Sequence, residues 1–350
     1  MIILKVKYIM KIILRAFVLI IILVTIFCIH ITRDGEVITP VGKGTLKLNS
    51  GTYEAFPLPD FASRMIDIDY KSYFIEVESG LKIHILEKGQ GFPVFLMHGN
   101  PTSGFLYRDI VNNLPLDKVR IIMPSLMGLG FSSKIPASMH TLDNHIRWIN
   151  IVLTELNLTE LIYAGQDWGG PIGMGALSLS PNLLKGAVLL NTGFIAPRIK
   201  SDLSPAHAIV KTPVIGELLV EKLLPIFDRL GRVQGNPSSW TEELAELYGE
   251  PLIRSGNFKA PLALMRMVPD GPDHESIPAM LKIEEYVISL KIPTEIVWGM
   301  NDPILGEALP LMQKNFPEAK VTKTNAGHFL QEEVSIEIAN ALKRIIDEVI

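Results

Sequence analysis

The apolar positions of this chain follow three successive patterns: one long unbroken run, then short apolar runs alternating with stretches of helical period, then a purely helical interruption before the alternation resumes. "FPVFLMHG" (92–99), "RIIMPS" (120–125), "LIYAGQ" (161–166) and "GAVLLN" (186–191) are short, wholly apolar, and end in Gly or polar residues. Such runs predict parallel strands buried on both faces, with helices packed above and below. "TEIVWGM" (294–300) repeats the pattern, and the more polar "KVTKTNAGH" (320–328) predicts a strand nearer the sheet edge. "SYFIEVESGLKIHILEKGQG" (72–91) alternates about Ser79-Gly80 and predicts a hairpin.

Between about residues 194 and 286 the strand rhythm stops. "PVIGELLVEKLLPIF" (213–227) and "SWTEELAELYGEPL" (239–252) predict helical pieces broken by Pro and Gly, and so an inserted helical cap. The expected organisation is a leader at 1–31, a tether with one short strand at 32–60, an α/β core at 61–193 and 287–350, and the cap at 194–286. No internal repeat or low-complexity tract interrupts it.

The first 31 residues change the picture of where the protein works. "MIILKVKYIMKIILR" carries four positive charges and is followed by the fourteen uncharged residues of "AFVLIIILVTIFCI". Length alone leaves a signal peptide and a membrane helix open. Small residues suited to cleavage are missing at 28–36, which favours an uncleaved signal anchor over a cleaved, secreted or periplasmic form. Positive charge ahead of the run would keep the N-terminus cytoplasmic and the rest outside. The remaining composition excludes more than it assigns. With 33 basic against 37 acidic residues and no dense Lys/Arg run, nucleic acid is not an expected partner. Cys28 is the only cysteine, so neither an intrachain disulfide nor a thiolate metal cluster is expected.

Chemistry gathers at the ends of the expected strands. "YAGQDWGG" (163–170) has the spacing of a sharp strand-to-helix turn, G-x-D-x-G, with Asp167 in the exposed place and Gly165 and Gly169 flanking it. The plainer reading of Asp167 is a helix cap. "HGNPTSG" (98–104) puts Asn100 where a loop amide can serve an oxyanion hole, while His98 reads as structural. "NAGHFLQEE" (325–333) places His328 after the last strand, the general base in the order nucleophile, acid, base. The acid has two places. After the sixth strand stand Asn191 and Thr192, with no carboxylate; after the seventh stands Asp302, the better orienting acid, although N-D-P also suits a turn.

"HGNPTSGFLYRDI", "GQDWGGPIG", "WGMNDPIL" and "AGHFLQEE", in this order, resemble a haloalkane dehalogenase of the α/β-hydrolase superfamily over about residues 60–350. The resemblance implies a nucleophile at Asp167, a base at His328, an acid at Asp302, and halide-holding side chains at Asn100 and Trp168. Trp240, alone among tryptophans in the cap, matches no halide-binding position. A carboxylate suits this chemistry because it carries its charge at neutral pH without a base and can displace a leaving group at saturated carbon. The alkyl ester so formed is then hydrolysed by water activated by His328, with the backbone N–H groups of Asn100 and Trp168 as the oxyanion hole. The leading expectation is hydrolysis of small apolar haloalkanes to alcohol and halide, without metal or organic cofactor. Epoxide hydrolysis is the alternative, but Tyr248 and Tyr286 match no tyrosine pair that would protonate an alkoxide, whereas the Trp168 indole donates without accepting. A tethered, non-catalytic ligand binder is the third reading.

Overall fold

The structure is a computed structural model that describes residues 2–200, 203–223 and 225–350. Among them, ten strands form one sheet in the order β1-β2-β3-β4-β6-β5-β7-β8-β9-β10. The parallel part comprises β5 (Phe92–Met97), β6 (Val119–Pro124), β7 (Leu161–Gln166), β8 (Leu184–Leu190), β9 (Thr294–Gly299) and β10 (Lys320–Thr324). These are the apolar runs of the sequence. Every residue of β7 is buried, and β10 at the edge is the most exposed of the six, as its polar sequence requires.

β3 (Lys71–Glu78) and β4 (Leu81–Gly89) form the expected antiparallel hairpin, and β4 joins the parallel part beside β6. The stretch expected to be a tether holds two strands, not one. β1 (Thr45–Leu48) and β2 (Gly51–Ala55) make a second hairpin that extends the sheet through Glu54 and Ala55 against Phe74 and Tyr73. Their alternation is masked in sequence by Lys47 and Glu54, polar residues suited to an edge hairpin; Glu54 pairs with Lys82 of β4.

Helices Leu142–Glu155, Gly169–Ser178 and Ile277–Ser289 pack together on one face of the sheet, and Ser335–Val349 covers β8 and β9 on the other. Ile277–Ser289 straddles the cap end expected at 286. It packs on the helix behind Asp167 and leads into β9, so structurally it is part of the core.

The cap itself is less regular than its apolar pattern suggests. Residues 213–227 form a short turn at Ile215–Glu217 and a wide π-helical turn at Leu218–Leu223, because Pro213 and Pro225 bound the stretch and Val214 adopts a left-handed φ of 69°. Glu242–Ser255 is a regular helix, started by Thr241, whose hydroxyl accepts from the Leu244 N–H, and ended by left-handed Gly256. Lys259–Arg266 follows it and lies over the strand ends.

At the N-terminus Ile2–Ile31 is one continuous helix. Its segment Tyr8–Ile31, 24 residues, holds a window of mean hydropathy 3.1, and its side chains up to Ile29 are not buried inside the protein. At about 1.5 Å per residue it is long enough to cross a bilayer.

Candidate active site

The order of the parallel strands reverses beside β5, so the loops leaving the C-terminal ends of β5 and β7 lie side by side. In open α/β sheets this is where a ligand crevice forms. The loop after β5 carries Asn100, the turn after β7 carries Asp167 and Trp168, β8 runs out to Asn191, β9 to Asp302, and β10 to His328.

Asp167 sits at φ 48°, a left-handed conformation disfavoured for a side chain larger than glycine. Neighbouring strands hold it there: its N–H donates to Asn191 O at 2.9 Å, and Thr192 Oγ1 donates to its carbonyl at 2.7 Å. The bend also demands glycine where chains meet. A Cβ on Gly169 would come within 2.3 Å of Met97 O, and one on Gly99 within 2.3 Å of Asp167 Oδ1.

His328 is buried, and its Nδ1 lies 2.9 Å from Asp302 Oδ2, while its Nε2 faces Asp167 Oδ2 at 3.8 Å. An ionised Asp302 fixes the proton on Nδ1 and leaves Nε2 free to receive one. Burial alone would push the imidazolium toward neutrality. The charge and hydrogen bond of Asp302, then the charge of Asp167, outweigh it and hold the His328 pKa above the ordinary histidine value. Burial likewise works to raise the Asp302 carboxyl. His328, the Ile304 N–H and Asn191 keep it below the usual carboxylate value.

Asn191, read from sequence only as an empty acid position, holds Asp302 instead. Its Nδ2 donates to Asp302 Oδ2 at 2.8 Å and to Gly299 O at 2.9 Å, and its Oδ1 accepts from Gly299 N at 2.7 Å. Gln166 Nε2 donates to His328 O at 3.0 Å. Gln234, from the cap, brackets the same loop by accepting from Phe329 N and donating to Phe329 O. No periodicity marks these residues; Gln166 and Asn191 were legible only as polar ends of apolar runs. His98 is structural as expected, buried and neutral, with Nε2 accepting from Leu126 N at 2.8 Å and its pKa pushed down to about 4 by burial.

The N–H groups expected to receive anions are already engaged. The Asn100 N–H donates to Asp167 Oδ1 at 2.8 Å. Asn100 Nδ2 donates to Pro261 O at 3.0 Å and Trp168 Nε1 to Leu264 O at 2.9 Å. Both side-chain N–H groups expected to hold a halide thus meet carbonyl oxygens of the cap helix Lys259–Arg266, which closes over the site. The cap aromatics are engaged elsewhere: Trp240 Nε1 donates to Phe227 O, and the Tyr248 hydroxyl to Glu332. Tyr286 is half-buried on the core helix Ile277–Ser289, with its hydroxyl buried and unpaired. A cavity of about 1000 Å³ lies between Leu218–Leu223 and Glu242–Ser255, and Asp167 does not line it.

The profile of a family described as "alpha/beta hydrolase fold" matches residues 93–334, which span every one of these side chains. The chain belongs to the α/β-hydrolase fold family. Within it, this hydrolase is 30% identical over 273 residues to haloalkane dehalogenase 2 of Mycobacterium tuberculosis, covering 75% of this chain and 90% of that protein. It is also 30% identical over 288 residues to a cis-3-alkyl-4-alkyloxetan-2-one decarboxylase of Shewanella oneidensis, covering 80% and 90%. Among solved structures, haloalkane dehalogenase DatA from Agrobacterium tumefaciens C58 superposes with a TM-score of 0.72 at 25% identity, covering 82% of this chain and 99% of that one. Haloalkane dehalogenases are therefore its relatives in both sequence and architecture.

Proposed function

We propose that this chain is a hydrolytic haloalkane dehalogenase with Asp167 as nucleophile, His328 as base, Asp302 as orienting acid, and Asn100 and Trp168 as halide donors. The observation that carries the reading is the line Asp302–His328–Asp167, at 2.9 and 3.8 Å, with Asp302 and His328 buried and the Asn100 amide already on the nucleophile's Oδ1. Asp167 Oδ2 displaces halide from saturated carbon, and the C–O bond of an alkyl ester forms as the C–halide bond breaks. The halide takes over the side-chain N–H groups of Asn100 and Trp168 from the cap carbonyls. Esterification also removes the negative charge of Asp167, one of the two charges that hold a proton on His328. His328 therefore becomes a free base when water must be activated against the Asp167 carboxyl carbon. The Asn100 and Trp168 backbone amides would receive the resulting oxyanion.

An epoxide opening asks for an acidic hydroxyl near Asp167, and the Tyr248 hydroxyl is committed to Glu332. A second reading is favoured by the decarboxylase relative. Asp167 could open an oxetan-2-one ring at its saturated carbon, leaving a carboxylate as the anion; loss of carbon dioxide would then expel Asp167 and form an alkene. That route needs no water and no base, so it leaves the His328–Asp302 pair without a task. Incubating His328→Phe with 1,2-dibromoethane tests the leading reading: it expects a trapped alkyl adduct on Asp167 and free bromide, and an unmodified Asp167 contradicts it.

We likewise propose that Tyr8–Ile31 is an uncleaved anchor, with Lys11 and Arg15 on the cytoplasmic side and the hydrolase body outside the cytoplasm.

A further inference from the structure

The chain just after the anchor does not hang free. Ile31, the last residue of the long helix, is buried at 6% exposure, whereas the apolar residues before it are exposed. Asp34 accepts from Ser138 N at 2.8 Å, Glu36 O accepts from Asn257 Nδ2 at 2.8 Å, and Ile38 bridges to Lys134. Gly35 lies against the Lys259 stem, and Lys259 Nζ pairs with Glu221 at 2.8 Å. The end of the anchor is thereby fixed to the cap, at the start of the helix that covers Asn100 and Trp168. Four peptide steps separate Ile31 from Gly35, a reach of at most about 14 Å.

The cap on this side is apolar where it meets solvent. Ile199, Ile209, Ile215 and Leu223 are 76%, 46%, 47% and 60% exposed. The segments that carry them are joined by the pairs Lys211–Asp270 and Arg266–Glu217 and by the approach of Lys200 to Gly271. Glu217 and Glu221 turn inward to Arg266 and Lys259, and Lys200 and Lys222 are exposed with no carboxylate partner among the described residues, although Asp273 and Glu275 near Gly271 are exposed too. Exposed apolar side chains with exposed lysines among them, on a cap tied to the residues that follow a membrane helix, suit a bilayer surface better than a protein partner.

We propose that this face of the cap rests on the bilayer that holds the anchor, and that the enzyme draws long-chain, membrane-partitioned substrates from it. The helix Lys259–Arg266 joins the parts: its first residue is tied to the linker, Pro261 and Leu264 cover the anion donors, and Arg266 holds the apolar face. Its withdrawal opens Asp167 toward lipid.

The surface rests on the anchor reading and the substrate class on the dehalogenase reading, so the test separates all three. The full chain, with Cys28→Ser, is placed in nanodiscs of phosphatidylcholine with a minority of phosphatidylglycerol. Fluorophores go on Ile209→Cys, Ile215→Cys, Phe17→Cys and Ile336→Cys, the last on the helix Ser335–Val349 of the core. Nitroxides on acyl chains should quench labels at 209, 215 and 17, and aqueous iodide the label at 336. Lipid quenching at 17 with aqueous quenching at 209 and 215 overturns the surface while the anchor stands; aqueous quenching at 17 overturns both. Ile209→Glu with Ile215→Glu should slow turnover of 1-bromododecane in nanodiscs at least about tenfold, the least a charge forced into lipid should cause, and leave water-soluble 1-bromobutane unchanged. Equal effects on both bromides refute membrane delivery. Lipid quenching at 209 and 215 without turnover of either bromide supports the surface and refutes the dehalogenase.

Discussion

Replacing Asp302 by Asn should split the reaction into one step that survives and one that fails. Asp302 touches His328 at 2.9 Å and is hydrogen-bonded to Asn191 and Ile304, but makes no contact with Asp167 or the anion donors. Displacement of halide by Asp167 needs no base and should proceed at close to its original rate. Hydrolysis of the ester needs His328 neutral at Nε2 with its proton on Nδ1. An amide at 302 can turn its NH₂ to Nδ1 and stabilise the opposite tautomer. General-base catalysis contributes about 10²–10⁴-fold, so the hydrolytic step should slow by about 3–5 kcal/mol of barrier. Rapid mixing with 1,2-dibromoethane should give one burst of bromide per active site, followed by a steady rate lower by that factor, with alkylated Asp167 accumulating. A variant that loses burst and steady rate together, or whose steady rate is intact, refutes the division of labour.

Further outcomes follow from the same geometry. Trp168→Phe removes one N–H from the leaving anion; at about 1.5–3 kcal/mol for a hydrogen bond to charge, halide release in the burst should fall about tenfold to a hundredfold, most for chloride. The hydrolytic step requires unprotonated His328, whose pKa lies above the ordinary histidine value through Asp302 and Asp167. The free-enzyme rate should therefore fall as pH drops through that raised pKa, while pre-formed ester, lacking the Asp167 charge, should hydrolyse with its limb at lower pH. Lys134, buried with only the carbonyls of Gly130 and Ser132 for partners, has its pKa pushed down to about 7. The unfolded chain holds that proton to about pH 10, so unfolded molecules bind more protons between these limits and stability rises with pH there. Lys134→Met should flatten that slope in urea melts.

What sequence could convey depended on whether the fold imposed a pattern on it. β5, β7, β8 and β9 are buried on both faces, so their residues had to be apolar and their ends stood out. Asp167 and Asp302 stood out because each follows such a strand, and His328 because it follows the last strand-like run, in chain order. The β1–β2 hairpin was half hidden because an edge carries polar residues on both faces. The helical pieces of the cap were legible at Leu218–Leu223, but apolar spacing does not tell a π turn from an α-helix, nor does it show the positive φ at Val214 that breaks the entry. Asn191 and Gln166 act through side-chain hydrogen bonds to residues more than 100 positions away, and contacts of that range have no local signature. Nor could sequence foretell that Pro261 and Leu264 offer their carbonyls to the anion donors, since backbone acceptors look alike at every position.

Solvent oxygen gives the most direct test of the central claim, that Asp167 becomes an ester which water cleaves at its own carboxyl carbon. In a single turnover of a bromoalkane in ¹⁸O water, the alcohol should emerge unlabelled and the peptide containing Asp167 should carry one heavy oxygen in that side chain. Label in the alcohol with none in Asp167 would mean that water strikes the substrate directly, and the account would be wrong.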